Sequence, residues 1–326
     1  MKLSVRVERF PIRGTFRIAR GAKTEAVVVV AELEQDGAVG RGECVPYARY
    51  GETVEGVASL LRAQERAVAA GLDRAALQRL LPAGAARNAL DCAFWDLDAK
   101  RRGRRVWELA GLPPPGPVTT AFTLGIDAPA AMAEAARAVS TLPLLKLKMA
   151  GDALDLDRVE AVRDGAPSAR LVVDANEAWD IDRLRQLAPA LAGLGVELIE
   201  QPLPAAADGA LAGFASPVPL CADESCHDAA SLAGLGGRYR MVNVKLDKTG
   251  GLTEAFRVRR LAAQAGLGVM VGCMVSTSLA IAPATLIAQG AAVADLDGPL
   301  LLDRDREGGL AVTGALIQPP EKGLWG

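Results

Sequence analysis

The chain has 326 residues, half of them apolar, with 34 Gly and 19 Pro, enough for a large core in one big domain or two unequal ones and too apolar for a disordered chain. Its 37 basic and 39 acidic residues give a formal charge of -2 and are spread along the sequence, which excludes the basic footprint of a nucleic-acid binder. A single histidine, His227, excludes multi-histidine zinc sites and makes a serine-histidine triad improbable, so acid-base chemistry falls to lysines and carboxylates.

His227 stands in Ser225-Cys226-His227-Asp228, where a solvated or capping role is expected. Cys44, Cys92, Cys221, Cys226 and Cys273 are scattered and form no CxxC pair, which points to reduced thiols and a cytoplasmic location. The opening MKLSVRVERF alternates charged and apolar residues, and no charge-free run reaches membrane-span length, so neither a signal peptide nor a membrane contact is expected.

In chain order, residues 2–10 and 25–43 read as three meandering strands, with β-branched Val27 to Val30 and a hairpin signal at Gln35-Asp36-Gly37. Gly37, Gly40 and Gly42 read as turn glycines. From Val54 to about Arg102 the spacing turns helical, completing an α+β domain over 1–112. Gly111-Leu112-Pro113-Pro114-Pro115-Gly116-Pro117 reads as a linker. Eight short apolar runs follow, beginning near 118, 142, 169, 196, 218, 241, 268 and 291, each trailed by helix-like sequence. This is the writing of a parallel (β/α) barrel over 117–298; a doubly wound open sheet is the alternative, disfavoured by the lack of GxGxxG after the first strand.

Barrel enzymes work where the strands end. Three successive runs end in acids, at Asp174, Glu200 and Asp223, an all-oxygen set that suits Mg²⁺. Singly, each also fits a helix cap, and Asp174 with Glu177 resembles a capping box. Flanking runs end in lysines: Lys146 and Lys148, two apart and so on one face, and Lys245. The opposing reading pairs these lysines with the acids and nothing more. Ammonium groups on both sides of a cation suit removal and return of a proton next to a carboxylate.

The motifs KLK at 146–148, VVDANEAW at 172–179, IEQPLP at 199–204, ADES at 222–225 and VKLDKTGGLTEA at 244–255 resemble, in that order, the muconate-lactonizing-type branch of the enolase superfamily, and the likeness spans nearly the whole chain. The resemblance implies α/β architecture with a (β/α)7β TIM-like barrel, an N-terminal α+β capping domain, and a C-terminal segment, 299–326, that returns to the capping domain. It implies Asp174, Glu200 and Asp223 as Mg²⁺ ligands, Lys148 and Lys245 as acid/base catalysts, and Lys146 as a tuner of its neighbour that also holds the substrate carboxylate.

Within the branch, Asp295-Leu296-Asp297 resembles the acidic pair with which dipeptide epimerases grip an α-ammonium group, Thr123 matches a position near the substrate, and Arg20 resembles the cation that meets a glutamate side chain, with Arg17, Lys23 and Arg49 as neighbouring alternatives. The function implied is 1,1-proton transfer at the C-terminal α-carbon of a dipeptide, L-Ala-D/L-Glu first, through a Mg-stabilised enediolate in murein peptide recycling. A homo-oligomer is implied as well. The rivals are a different dipeptide, an N-acylamino acid racemase, a succinylbenzoate synthase, a muconate cycloisomerase, or a non-catalytic dipeptide-binding barrel.

Overall fold

The computed structural model describes all of residues 1–326. β1 (Lys2–Ile18), β2 (Gly21–Gln35) and β3 (Ala38–Cys44) form an antiparallel meander. The β2–β3 turn has Asp36 and Gly37 at φ 52° and 79°, the left-handed pair that a tight hairpin demands. Hydrophobic alternation alone stops the first strand near residue 10. In the structure the pairing with β2 resumes after an irregularity between Pro11 and Phe16 and runs on to Ile18 opposite Gly21. This ribbon is mostly solvent-exposed, so no burial pattern marks it.

Helices α1 (Val54–Arg62), α2 (Glu65–Ala69), α3 (Arg74–Leu80), α4 (Ala85–Arg102) and α5 (Val106–Leu109) complete the domain. Thr53 and Asp73 cap α1 and α3 by accepting the N–H groups of Gly56 and Ala76. α4 lies directly on β3. A Cβ on Gly42 would stand 2.1 Å from the Ala89 carbonyl oxygen, and one on Gly40 2.3 Å from that of Ala93. These two are therefore packing glycines inside a strand, and only Gly37 is a turn glycine.

The apolar run from 118 divides in two. β4 (Val118–Thr119) pairs away from the barrel, and β5 (Phe122–Leu124) opens it. Parallel strands β6 (Leu144–Lys148), β7 (Arg170–Asp174), β8 (Val196–Glu200), β9 (Leu220–Ala222), β10 (Met241–Val244), β11 (Gly268–Gly272) and β12 (Val293–Asp295) follow in sequential order. The ring closes between β12 and the start of β5, where Ala121 N–H donates to the Ala294 carbonyl (2.7 Å) and Leu296 N–H to Thr120 Oγ1 (2.7 Å).

The crossovers use α6 (Pro129–Ala138), α7 (Asp155–Gly165), α8 (Ile181–Gly193), α9 (Leu246–Thr249) with α10 (Leu252–Gln264), and α11 (Ser278–Ala288). After β8 and β9 only single 3-10 turns occur, at Asp208–Leu211 and Ala230–Leu232, where helices are expected from the repeat. Pro202, Pro204, Gly209, Gly213 and Pro217 break the first segment, and Gly234, Gly236 and Gly237 the second.

β13 (Val312–Thr313) and β14 (Leu316–Ile317) pair with β4 under the barrel. On either side of them the C-terminal chain touches the first domain. Arg306 Nη2 lies 2.7 Å from Glu43 Oε2, Trp325 Nε1 donates to the Cys92 carbonyl at 3.1 Å, and Gly326 N–H donates to Asp96 at 2.7 Å.

α4 is bolted to the segment after β10. Arg87 donates to the carbonyls of Thr249 (2.7 Å) and Gly250 (3.1 Å), and Asp91 accepts from Thr253 N–H (2.9 Å) and Oγ1 (2.6 Å). Gly251 has φ 112°, and a Cβ there would stand 2.5 Å from Asp91. Gly251→Ala is therefore expected to destabilise the protein by about 2 kcal/mol or more, read as a lower urea midpoint at unchanged slope.

Candidate active site

Strand periodicity of two builds the barrel interior in layers. The lowest is apolar: Ala121, Leu144, Val172, Leu198, Cys221, Met270 and Val293 cluster together, with Met241 packed against them. Two residues further along each strand stand Thr123, Lys146, Asp174, Glu200, Asp223, Asn243, Gly272 and Asp295. Gly272 is small because a Cβ would meet Asn243 Oδ1 at 2.7 Å and Lys245 Cε at 3.0 Å. Another two residues bring Lys148, Asn176, Lys245 and Asp297 to the mouth. Every ionisable residue expected from the strand ends is buried here.

The acids of β7, β8 and β9 occupy one arc, and Asp295 and Asp297 follow from β12 on the far side of the ring. β6 and β10, carrying Lys148 and Lys245, are four strands apart in a ring of eight, so the two lysines face one another across the mouth. Lys146 Nζ lies 2.6 Å from Glu200, 2.7 Å from Asp295 and 3.2 Å from Asp174. Lys148 reaches Asp174 at 2.5 Å and Lys245 reaches Asp223 at 2.7 Å. Thr123 donates its N–H to Asp297 (2.6 Å) and its hydroxyl to Asp295 (3.4 Å).

Sequence reasoning passes over three buried groups that the structure adds. Lys248 donates to Asp223 Oδ1 (2.6 Å) and to the Asn243 carbonyl (2.8 Å), Asn243 Nδ2 donates to Glu200 (2.7 Å), and Glu224 is buried beside Asp223. Asn243 was legible as the inward residue two before Lys245. Lys248, in a helical turn beyond the strand, had no such signal.

Asp174, Glu200 and Asp223 do not enclose one point as the sequence reading implies, because lysine ammonium groups stand among them. Their chemistry nevertheless fits a hard divalent cation. All donors are oxygens, and the completely buried Glu200 Oε2 accepts no aligned hydrogen bond even with Lys146 at 2.6 Å. Six buried acids, Asp174, Glu200, Asp223, Glu224, Asp295 and Asp297, also face five cations, Lys146, Lys148, Lys245, Lys248 and the Arg20 that pairs with Glu224.

The surplus negative charge sets the titration. Burial, with the neighbouring Asp174 charge, pushes Glu200 up to about 7, and burial with Asp295 pushes Asp297 up to about 7. Burial alone would lower Lys146 and Lys245, but Asp295, Glu200 and Asp174 hold Lys146 well above the usual range, and Asp223 and Glu200 do the same for Lys245.

A cavity of about 700 Å³ lies between this mouth and the capping loops. Lys148, Lys245, Asp223, Thr123, Asp295 and Asp297 line its floor, and Arg20, Lys23 and Tyr47 its roof. Arg20 is present as expected, but its guanidinium is already engaged by Glu224 (2.6 Å), the Asn176 carbonyl (2.8 Å) and Tyr47 Oη (2.9 Å). Arg49 is committed to Glu177 through two bonds of 2.6 and 2.7 Å. Lys23 makes no ion pair; its ammonium lies 5.6 Å from the Tyr47 ring centre, and partial burial lowers its pKa. His227 is half-buried with its ring edge-on to Tyr50 at 4.2 Å, a packing role in place of the solvated or capping one.

Residues 1–111 match the family model of the mandelate racemase / muconate lactonizing enzyme N-terminal domain, and residues 130–324 match that of the enolase C-terminal domain-like family. The L-Ala-D/L-Glu epimerase of Escherichia coli (strain K12) is 47% identical over 94% of this chain and 96% of its own. An N-acetyl-D-glutamate racemase from a Pseudoalteromonas species is 46% identical over 92% and 94%. Among solved structures, an enolase family member from Agrobacterium tumefaciens with homology to dipeptide epimerases, holding sodium and L-Ala-L-Glu, superposes with a TM-score of 0.97 at 49% identity, covering 99% of both chains. With both domain models matched and these relatives aligned end to end, the chain belongs to the enolase superfamily, in the mandelate racemase / muconate lactonizing enzyme branch that holds the dipeptide epimerases.

Proposed function

We infer that the protein is an isomerase that epimerises the C-terminal residue of L-Ala-D/L-Glu. The carrying observation is the ring geometry: a substrate laid from the β7–β9 acids to the β12 acids passes between Lys148 and Lys245. Its α-carboxylate belongs at the first arc with Lys146, and its α-ammonium at Asp295 and Asp297, with Thr123 holding both acids in place. The 47% identical epimerase supports the substrate.

The cation called for by Asp174, Glu200 and Asp223 is Mg²⁺, which solved dipeptide epimerases from Enterococcus faecalis and Methylococcus capsulatus contain together with dipeptides. Bound there, Mg²⁺ supplies positive charge to the substrate carboxylate as it takes on enediolate character. Lys148 now pairs with Asp174 and Lys245 with Asp223, so acids committed to the ion would leave both ammonium groups free to turn toward the substrate α-carbon from opposite sides. Lys148 removes the α-proton of one epimer from its side, and Lys245 delivers a proton from the other; the reverse reaction exchanges the roles.

The substrate side-chain carboxylate points to the roof, where Lys23 is the unpaired cation and Arg20, expected from the family, is held by Glu224. Racemisation of N-acetylglutamate is the second reading, favoured by the 46% identical racemase. An acetyl group retains the acyl part of alanine but lacks the ammonium, leaving Asp295 and Asp297 without a partner. A cytoplasmic role in murein peptide recycling and self-association complete the proposal; five free cysteines agree with the compartment.

The test is α-deuterium uptake in D₂O with Mg²⁺, measured for L-Ala-L-Glu and for N-acetyl-L-glutamate. Uptake confined to the dipeptide and lost with EDTA is expected; uptake confined to the acetyl compound overturns the first reading. Lys148→Ala and Lys245→Ala should each reduce epimerisation about 10²–10⁴-fold, while each still exchanges the α-proton of the single epimer facing its remaining lysine.

Lys23→Met should raise KM for L-Ala-L-Glu about tenfold or more, the loss of one charged hydrogen bond, and leave KM for L-Ala-L-Met unchanged. Lys146→Met strips the ammonium from three buried acids, with an expected loss of roughly 3 kcal/mol or more. Melting curves of that variant should recover with Mg²⁺ more than those of the unmodified protein.

A further inference from the structure

Glu224 contributes nothing to the cavity lining, and the proposed chemistry gives it no task. Yet it is 3% exposed, its Oε2 has no hydrogen-bond partner, and it sits among acids that repel it. A carboxylate kept in such a place needs a strong compensating contact. That contact is Arg20, whose Nη2 donates to Glu224 Oε1 at 2.6 Å.

Arg20 stands at the tip of the β1–β2 ribbon and meets three separate segments. It binds Glu224 after β9, the Asn176 carbonyl (2.8 Å) and, more loosely, Glu177 (3.4 Å) after β7, and Tyr47 Oη of the second capping loop (2.9 Å). Asn176 is itself held in a left-handed conformation, φ 45°, with its N–H donated to Asp174 Oδ1 at 2.9 Å. The barrel end of the contact is therefore rigid. The ribbon end is mostly exposed; behind the tip Ile126 N–H donates to the Arg17 carbonyl (2.9 Å) and Phe16 packs on a small apolar cluster, but the tip itself, from residue 19 to Lys23, reaches the rest of the protein only through side chains.

We propose that Arg20 and Glu224 form the latch that holds the first capping loop, and through Tyr47 the second, closed over the pocket. Glu224 is thus a positioning residue that acts through Arg20. The latch puts Lys23, three residues along the same loop, over the cavity. It deepens the reading above, since what it closes on is the dipeptide pocket, but it does not depend on turnover.

The loop carries its own probe, because trypsin cuts after Lys23. In the absence of substrate, Glu224→Gln and Arg20→Met should each raise the rate of cleavage at Lys23–Thr24 about tenfold or more, the open population gained when a charged hydrogen bond is lost. The double variant should cleave no faster than the faster single one. Unchanged cleavage, or single effects that multiply in the double variant, overturns the latch. Arg20 is partly solvent-exposed, so Arg20→Met keeps the test open should Glu224→Gln fail to fold.

In turnover, Glu224→Gln is expected to raise KM about tenfold with kcat nearly unchanged; an unchanged KM with lowered kcat overturns the positioning role. A protein that turns over no dipeptide but shows the coupled cleavage refutes the substrate reading and leaves the latch standing. The reverse pattern refutes the latch alone.

Discussion

Charge balance inside a closed barrel governs this molecule. A ring of eight strands has no edge through which an inward side chain reaches water, so each acid placed in the second layer must find a cation within the ring. Lys146 answers to acids from three strands at once, and Lys148, Lys245 and Lys248 each answer to one acid. The acids still outnumber them. The unmet charge suits the mouth to something positive, which the proposed function assigns as a hard cation at β7–β9 and an ammonium at β12.

The same constraint explains why small residues stand where they do. Gly272 yields its place in the second layer because Asn243 and Lys245 already fill it. Gly251 yields to Asp91, and through that contact α4 of the capping domain fastens to the helical turn bearing Lys248. The capping domain is thereby registered to the strand end carrying Lys245, and its loops descend on a floor of fixed geometry.

Much of this was legible from spacing alone. The i, i+2 rule put Lys146 and Lys148 on one face and aligned three acids on successive strands, because a barrel strand has only two faces and one of them is closed off. Where local rules ran out, long-range contact had decided the outcome. Gly40 and Gly42 look like turn glycines until α4 is laid across them, the exposed β1–β2 ribbon shows no apolar alternation, and Arg20 reads as a free cation because Glu224 lies 204 residues away. The missing helices after β8 and β9 are a local failure of another kind: the Pro and Gly content was visible, but the regular repeat outweighed it.

The division between floor and roof has a mechanical basis. Asn176, Glu177 and Gln201 hold left-handed conformations at φ 45°, 69° and 34°, strained at about 1–3 kcal/mol each for residues other than glycine. They persist because Asp174 accepts the Asn176 N–H, the Gln201 carbonyl accepts the Glu177 N–H, and the Gln201 side chain accepts the N–H groups of Asp223 and Ser225. These bonds link the ends of β7, β8 and β9, the strands whose acids would share one ion. The strain is thus stored in the floor, where geometry must not vary, while the first loop of the roof is held by one backbone bond, Ile126 N–H to the Arg17 carbonyl, and a few side-chain contacts. If the substrate side chain meets the roof, as the proposed function has it, a change of preference needs only new residues on the capping loops, and the floor stays as it is.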